Sequence, residues 1–275
     1  MADRITRCRP LLGTFVEVTA SSQSAIDAAF GAIERVHRLM SAHEAGSDIS
    51  ELNRSGHERA VELHPWTARV LERAVHWARH SRGIFDVVRA GKAAIDRGDL
   101  PMHPGQPLPQ AAHWTWLELT GRAARLMKPG CIDLGGIAKG FAVDCAVDAL
   151  KSAGAAFGFV NAGGDVSGFG SEPWLVQVVD PATRRPFAEV EIENGALATS
   201  AVLPAGEHAH LVGTDPELVS ATVCARSAMD ADALTKIVLS GSPLTSACLD
   251  VAGARAFTLA CDGRLRAFEG QRQAA

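Results

Sequence analysis

The sequence predicts an α+β protein with mixed and antiparallel sheets. Segments with helical spacing of apolar residues alternate irregularly with short strand-like runs, several runs are joined by tight Asp-Pro or Asp-Gly turns, and no regular βαβ rhythm appears. In chain order, Thr14 to Thr19 alternates as a strand, and Ser24 to Met40 repeats Ile26, Ala29, Ile33, Val36 and Met40 at helical spacing. Ser41 to Gly56 is polar and turn-rich and reads as a loop. Pro65 opens a second amphipathic helix with Val70, Leu71, Val75 and Trp77, ending near Ser81-Arg82-Gly83. Gly91 to Pro109, rich in Gly, Pro and Asp, reads as a surface excursion. Trp114 to Leu119 and Ala123 to Met127 form a hairpin.

The run Lys128 to Gly140 passes into a helix from Phe141 to Ala153, so a glycine-bearing turn feeds a helix N-terminus. Phe157 to Val160 is a strand that ends in Asn161-Ala162-Gly163-Gly164-Asp165, and Trp174 to Val179, Ala188 to Glu193, Leu197 to Ser200 and Ser220 to Val223 continue as strands. Ser227-Ala228-Met229-Asp230 has capping-box spacing and starts a helix over 228–239. Phe257 to Leu259 and Leu265 to Phe268 close a hairpin around Asp262-Gly263.

Composition narrows the function classes. The 275 residues are 47% apolar and 21% charged, the balance of a globular protein able to bury a sizeable core. With 27 Lys plus Arg against 31 Asp plus Glu, the net charge of −4 argues against a nucleic-acid partner. Apolar runs stop well short of the roughly 20 residues of a membrane helix. The expected compartment of the chain as written is cytoplasmic, or periplasmic if an export signal precedes it. Six cysteines, none in a CxxC, indicate buried thiols rather than a zinc site or disulfide scaffold. One domain over 1–275 is expected, with two packed α+β halves as the alternative.

Four segments carry chemistry. Gly135 and Gly140 have P-loop glycine spacing, but Phe141-Ala142 stands where Lys-Ser/Thr would follow, and no G-x-G-x-x-G occurs. What the segment offers is backbone amides, a helix N-terminus and Lys139, all suited to an anion. Gly163-Gly164 requires positive φ or a close approach. Asp230 and Asp232 lie in the first turn of the last predicted helix, with Lys236 four residues beyond Asp232. As structure this is an N-terminal charge preference plus an i,i+4 ion pair, worth about 0.3–1 kcal/mol. As chemistry, a carboxylate facing a phosphate-binding turn is how magnesium is shared with a pyrophosphate. His208 and His210 precede Asp215-Pro216 and are candidates for acid–base work.

Taken in order, these segments resemble the FAD:protein FMN transferase (ApbE) family over most of the chain. The resemblance rests on Leu12-Gly13-Thr14, Ser41 through Asn53-Arg54, Gly83-Ile84-Phe85-Asp86, Asp133-Leu134-Gly135-Gly136-Ile137-Ala138-Lys139-Gly140, Asn161 to Asp165, Ala198-Thr199-Ser200 and Ala231-Asp232-Ala233-Leu234. It implies a T-fold-like architecture with helices packed around a central FAD cleft, and a magnesium ion at the pyrophosphate. It implies transfer of FMN from FAD to a Thr or Ser hydroxyl of an electron-transfer flavoprotein, with release of AMP. FAD hydrolysis and non-catalytic flavin binding are the alternatives. By the same resemblance, His210, Asp232 and Lys139 are catalytic. Asn53, Phe85, Asp133, Gly135, Lys139, Gly163, Gly164, Thr199, Ser200 and Leu211 contact FAD, and the Gly136 carbonyl and Asp232 hold the metal. Lys236 stands where the family often has Thr, so that its ammonium is a candidate for part of the cation site. The loop between histidine and Asp-Pro is two residues longer than in the family, which keeps His208 as the alternative to His210.

Overall fold

The computed structural model describes residues 4–100, 111–202 and 213–269. The first half of the chain runs β1 (Ile5–Leu11), β2 (Thr14–Ala20), α1 (Gln23–Met40), α2 (Asp48–Ser55), β3 (Val61–Glu62), α3 (Pro65–His80), α4 (Val87–Arg97), β4 (Leu117–Thr120) and β5 (Ala123–Leu126). The second half runs α5 (Ala138–Ser152), β6 (Gly158–Ala162), β7 (Asp165–Phe169), β8 (Trp174–Val179), β9 (Pro186–Ile192), β10 (Gly195–Ala201), β11 (Leu218–Ala225), α6 (Ala228–Leu239), α7 (Thr245–Ala252), β12 (Arg255–Ala260) and β13 (Leu265–Glu269). The α+β class expected from the sequence is what is found. No helix among the described residues is long and apolar enough to cross a membrane. The chain divides into two compact units, one drawn from the described residues of 1–34, 139–209 and 214–275, the other from those of 35–138 and 210–213.

The first unit is built on an eight-stranded sheet in the order β1-β2-β6-β7-β10-β11-β12-β13. Every neighbouring pair is antiparallel. Val16, Val18, Val160, Ala162, Ala198, Ala221 and Val223 are buried on its strands. Helix α6 packs on β10 and β11 and is apolar nearly all round, with Ala231, Leu234, Ile237 and Val238 buried, as a helix enclosed by its own core should be. The two-stranded β8-β9 sheet adds a second small core, in which Val178 and Ile192 meet Val166 and Leu197. At the sheet edge, β1 is exposed over most of its length and carries Arg7 and Arg9, charges that discourage pairing with another chain.

The second unit holds α2, α3, α4 and the three-stranded sheet β3-β5-β4. Two of its helices correct the sequence reading. The segment expected as a polar loop over 41–56 contains α2, whose N-cap Ser47 accepts from the Ser50 amide and which buries Ile49, Leu52 and Asn53. Two apolar residues in eight are too few for periodicity to show a helix. The expected excursion from Gly91 contains most of α4, whose N-cap Asp86 takes the Val88 and Arg89 amides on Oδ1 and the Trp114 amide on Oδ2. Gly91 reads as a helix breaker in sequence. In space it is a contact requirement, because a Cβ there would lie 2.2 Å from the Cys131 carbonyl oxygen. The Pro-rich remainder, 101–110, lies outside the described residues.

Strands β1 and β7 and helix α7 are further elements that periodicity does not reveal. None of the six cysteines, all of them among the described residues, is in a disulfide; Cys131, Cys145 and Cys248 are buried as expected, whereas Cys8 and Cys261 are exposed.

Candidate functional site

Within the first unit, four ionisable side chains converge from three different elements. Lys139 lies in the first turn of α5, Asp165 opens β7, and Asp232 and Lys236 sit one turn apart on α6. The turn that delivers Asp165 is Gly163-Gly164, at φ +64° and +99°. A Cβ on Gly163 would fall 2.6 Å from Thr14 Oγ1, so both reasons for glycine apply there. The Asn161 side chain accepts from the Gly164 amide at 3.0 Å, and the Gly164 carbonyl accepts from the Thr199 amide at 3.2 Å.

Lys139 donates to Asp165 Oδ2 at 2.8 Å. Lys236 pairs with Asp232 Oδ1 and also donates to the Asp232 backbone carbonyl and to Ser200 Oγ, each at 3.0 Å. The second Asp232 oxygen accepts from the Gly140 amide at 3.2 Å. Ser200 and Thr235 hydroxyls lie 2.7 Å apart, and Thr235 donates to the Asp232 carbonyl at 2.7 Å. These partners order the protons: Lys236 gives to Ser200, Ser200 to Thr235, and Thr235 to the carbonyl. Lys236 spends all three of its N–H donors on oxygens of this cluster.

Burial sorts the cluster by sign. The side chains of Asp232 and Asp165 are 0% and 1% exposed, whereas Lys236 and Lys139 keep 15% and 33% of their surfaces exposed. The acids are fully enclosed, and the lysines that cover them are only partly so. Burial raises the Asp232 carboxyl, but Lys236 and then Lys139 outweigh it and hold the acid below its ordinary range. Burial and the neighbouring Asp232 charge leave Asp165 raised, against the opposing pull of Lys139 and Lys236. Burial would lower Lys139, and the Asp165 and Asp232 charges reverse this and raise it. The group is therefore a network of two acids and two bases rather than two independent pairs.

A third acid braces the helix that carries Asp232 and Lys236. Asp144 on α5 accepts the first two amides of α6, Ala228 at 2.7 Å and Met229 at 2.9 Å, and so fastens one helix N-terminus to the next helix. Burial pushes its pKa up to about 7, more than these amides pull it down, with Asp230 and Asp148 adding repulsion. A carboxyl raised from about 3.8 in the unfolded chain binds more protons when folded between roughly pH 4 and 7, so its contribution to stability falls as pH rises through that window. Asp144→Asn is expected to flatten the pH dependence of urea midpoints between pH 4 and 7. An unchanged slope would exclude Asp144 as its source.

The remaining sequence-predicted residues are placed as follows. Thr199 and Ser200 lie on β10, and Thr199 Oγ1 is 3.0 Å from Thr222 Oγ1. Asp133, Gly135, Gly136, Asn53 and Phe85 belong to the second unit. Asp133 Oδ1 accepts from the Gly135 amide at 2.8 Å, which fixes the turn into α5. Asn53 is buried and bridges the Ile132 backbone from both ends of its amide: Nδ2 donates to the carbonyl at 3.0 Å and Oδ1 accepts from the amide at 2.7 Å. In this structure Asn53 positions the loop that carries Asp133. Asn53→Asp keeps the shape but cannot donate to Ile132, and is expected to cost about 1–3 kcal/mol in thermal or chemical unfolding. Phe85 is buried behind the Ser81 turn, where its amide donates to Ser81 Oγ at 3.0 Å. His208, His210 and Leu211 lie outside the described residues.

Two members of the cluster escape the sequence argument as site residues. Asp165 is visible there only as the last letter of a glycine turn, although it opens a strand that is buried throughout. Thr235 has no mark in the sequence, yet it holds both Ser200 and the Asp232 carbonyl.

The expected magnesium site can be tested against these donors. Magnesium takes near-octahedral oxygen ligands at about 2.0–2.1 Å. Here Asp232 and Ser200 already direct oxygens at an ammonium, and among the described residues no three His, Cys, Asp or Glu side chains form a metal-ligand group. With Lys236 in place, these residues do not fit a divalent ion.

Residues 12–246 match the model of the ApbE family. Over 211 residues, 69% of the chain, the sequence is 30% identical to an FAD:protein FMN transferase of Rhodobacter capsulatus, of whose length the match covers 40%. The fold is similar to the flavin transferase ApbE of Vibrio cholerae, at 20% identity and TM-score 0.81 over 98% of each chain. It is similar also to the ApbE protein of Thermotoga maritima, at 23% identity and TM-score 0.85 over 97% of each chain. With a family model spanning most of its length, this chain belongs to the ApbE family.

Proposed function

We propose that this chain transfers the FMN half of FAD to a Thr or Ser hydroxyl of an acceptor protein in an electron-transfer system. The observation that carries the reading is the sorted cluster of the first unit, in which the partly exposed Lys139 and Lys236 cover two fully buried carboxylates. Such a surface suits a diphosphate, and the Lys139 ammonium adds to the partial positive charge of the α5 N-terminus. The name of the Rhodobacter capsulatus relative supports the choice of FAD as the diphosphate.

In this reading the acceptor oxygen attacks the phosphorus on the FMN side. The bond from that phosphorus to the bridging oxygen breaks, and the oxygen leaves with AMP. The hydroxyl proton passes to a base, for which the resemblance nominates His210. Lys139 and Lys236 oppose the negative charge that builds on the phosphoryl oxygens, a stabilisation that is strongest where water is excluded. No step is routed through magnesium, since the donor set does not fit it.

The test is incubation with FAD and a protein bearing an FMN-accepting Thr, followed by intact mass of the acceptor and AMP measurement. Gain of one FMN less one water, with equimolar AMP, is the expected result. Free FMN and AMP without acceptor labelling would make the chain a hydrolase. Binding of FAD with no AMP would make it a flavin-binding protein, and either outcome would overturn the transferase reading.

A further inference from the structure

We propose that Lys236 is a resident cation: its ammonium holds, as a fixed charge, the place between Asp232 and a bound phosphate that a divalent metal would otherwise take, so that this chain neither binds magnesium tightly nor requires it. The proposal rests on the flavin-transfer reading only for the identity of the phosphate.

Three observations carry it. First, the acceptors around the Lys236 nitrogen are what a hard cation would choose: a carboxylate oxygen and the backbone carbonyl of Asp232, and the Ser200 hydroxyl. Second, the hydroxyls are ordered to serve that ammonium. Thr235 donates to the Asp232 carbonyl, so its own oxygen takes the Ser200 proton and leaves a Ser200 lone pair for Lys236. Third, the charge account is closed. Two carboxylates meet two ammonium groups, and an added divalent ion would face two like-charged neighbours with no carboxylate left to oppose it.

Lys236 is also not placed to withdraw easily. It is mostly buried and anchored at three points, so a metal would have to break all three bonds before entering. Because its donors are spent, it acts on a phosphate through its charge and not through a direct hydrogen bond.

The experiment measures Mn2+ binding to the full chain without flavin, by electron paramagnetic resonance, in the wild type and in Lys236→Thr. Wild type is expected to show no saturable site at submillimolar Mn2+, and Lys236→Thr to bind roughly tenfold more tightly or better, because a like charge is replaced by a neutral oxygen. In parallel, AMP release from FAD by the wild type is expected to survive EDTA. A wild type that binds Mn2+ as tightly as Lys236→Thr, or that loses turnover in EDTA and regains it with Mg2+, would overturn the proposal. If Lys236→Thr does not fold, a wild-type Mn2+ titration decides alone: saturable submillimolar binding overturns the proposal, and its absence upholds it. Failure to release AMP with or without metal would refute the flavin-transfer reading, while the Mn2+ result would still decide the role of Lys236.

Discussion

Asp232→Asn is expected to abolish AMP release from FAD and to lower stability by about 3–5 kcal/mol, the usual cost of removing one partner from a buried ion pair. The amide would keep the shape of the side chain but leave Lys236 beside a neutral group, and Lys139 would lose one of the two charges that raise it. The sequence alone puts this change near 0.3–1 kcal/mol, as for an exposed carboxylate in a first turn. Its burial at 0% exposure is what overturns that figure. An internal control lies on α4, where Lys92 and Asp96 have the same i,i+4 spacing at 2.6 Å but remain substantially exposed. Lys92→Ala is expected to cost no more than about 0.5 kcal/mol through that pair. The pH behaviour follows from the depressed acid. A folded pKa below the unfolded value stabilises the protein above the unfolded value, and this is lost as pH falls through the folded one. The acid limb of the wild-type stability curve should therefore be steeper than that of Asp232→Asn. Chemical denaturation of both proteins across the acid range checks this, and equal stability would remove Asp232 from the network.

Gly140→Ala is expected to damage the same network without touching a charge. A Cβ at residue 140 would sit 2.1 Å from the Ala228 carbonyl oxygen and 2.8 Å from the Met229 amide nitrogen, both backbone atoms that cannot rotate away. Helices α5 and α6 would have to separate, which as overpacking costs about 1–3 kcal/mol or more. The shift would also stretch the Gly140 amide from Asp232 and the Ala228 and Met229 amides from Asp144. Activity should fall more than FAD affinity, since the charges persist but lose their alignment. The ratio of turnover to FAD affinity, measured together with the urea midpoint, tests this. A variant of wild-type stability and turnover would show that the close approach is not required.

How much of this was legible in the sequence varied with the kind of signal. The α6 boundaries follow from Ser227, whose hydroxyl does accept from the Asp230 amide as its capping spacing implies. The Asp232–Lys236 pairing follows from helical geometry and is found. What spacing does not encode is depth. The same four-residue interval describes an exposed pair on α4 and a buried one on α6, and only the surrounding sheet distinguishes them. Helix α2 stayed hidden because eight residues give periodicity too little length, and α4 because Gly91 weakens a helix in isolation yet is demanded by the Cys131 carbonyl. Asn53 was legible as part of a motif, but its role in clasping Ile132, 79 residues away, depends on tertiary structure. Asp165 was overlooked because a carboxylate after two glycines resembles a turn residue until its ammonium partner is known.

The order of strands in the large sheet also has a consequence for synthesis. Strand β2 has its second neighbour in β6, where Val18 faces Val160, and the intervening chain supplies residues 35–138 of the second unit. As the polypeptide emerges, the β1-β2 hairpin must therefore wait until β6 (Gly158–Ala162) has been made before that strand can extend its sheet. Long-range pairing of this kind slows folding, and an exposed strand edge is vulnerable while it waits. Arg7 and Arg9 lie along β1, so the edge strand of that hairpin carries charge against premature association while it waits. The Asp232 cluster, whose members arrive from 139 to 236, assembles only after that pairing partner and α6 have both been made.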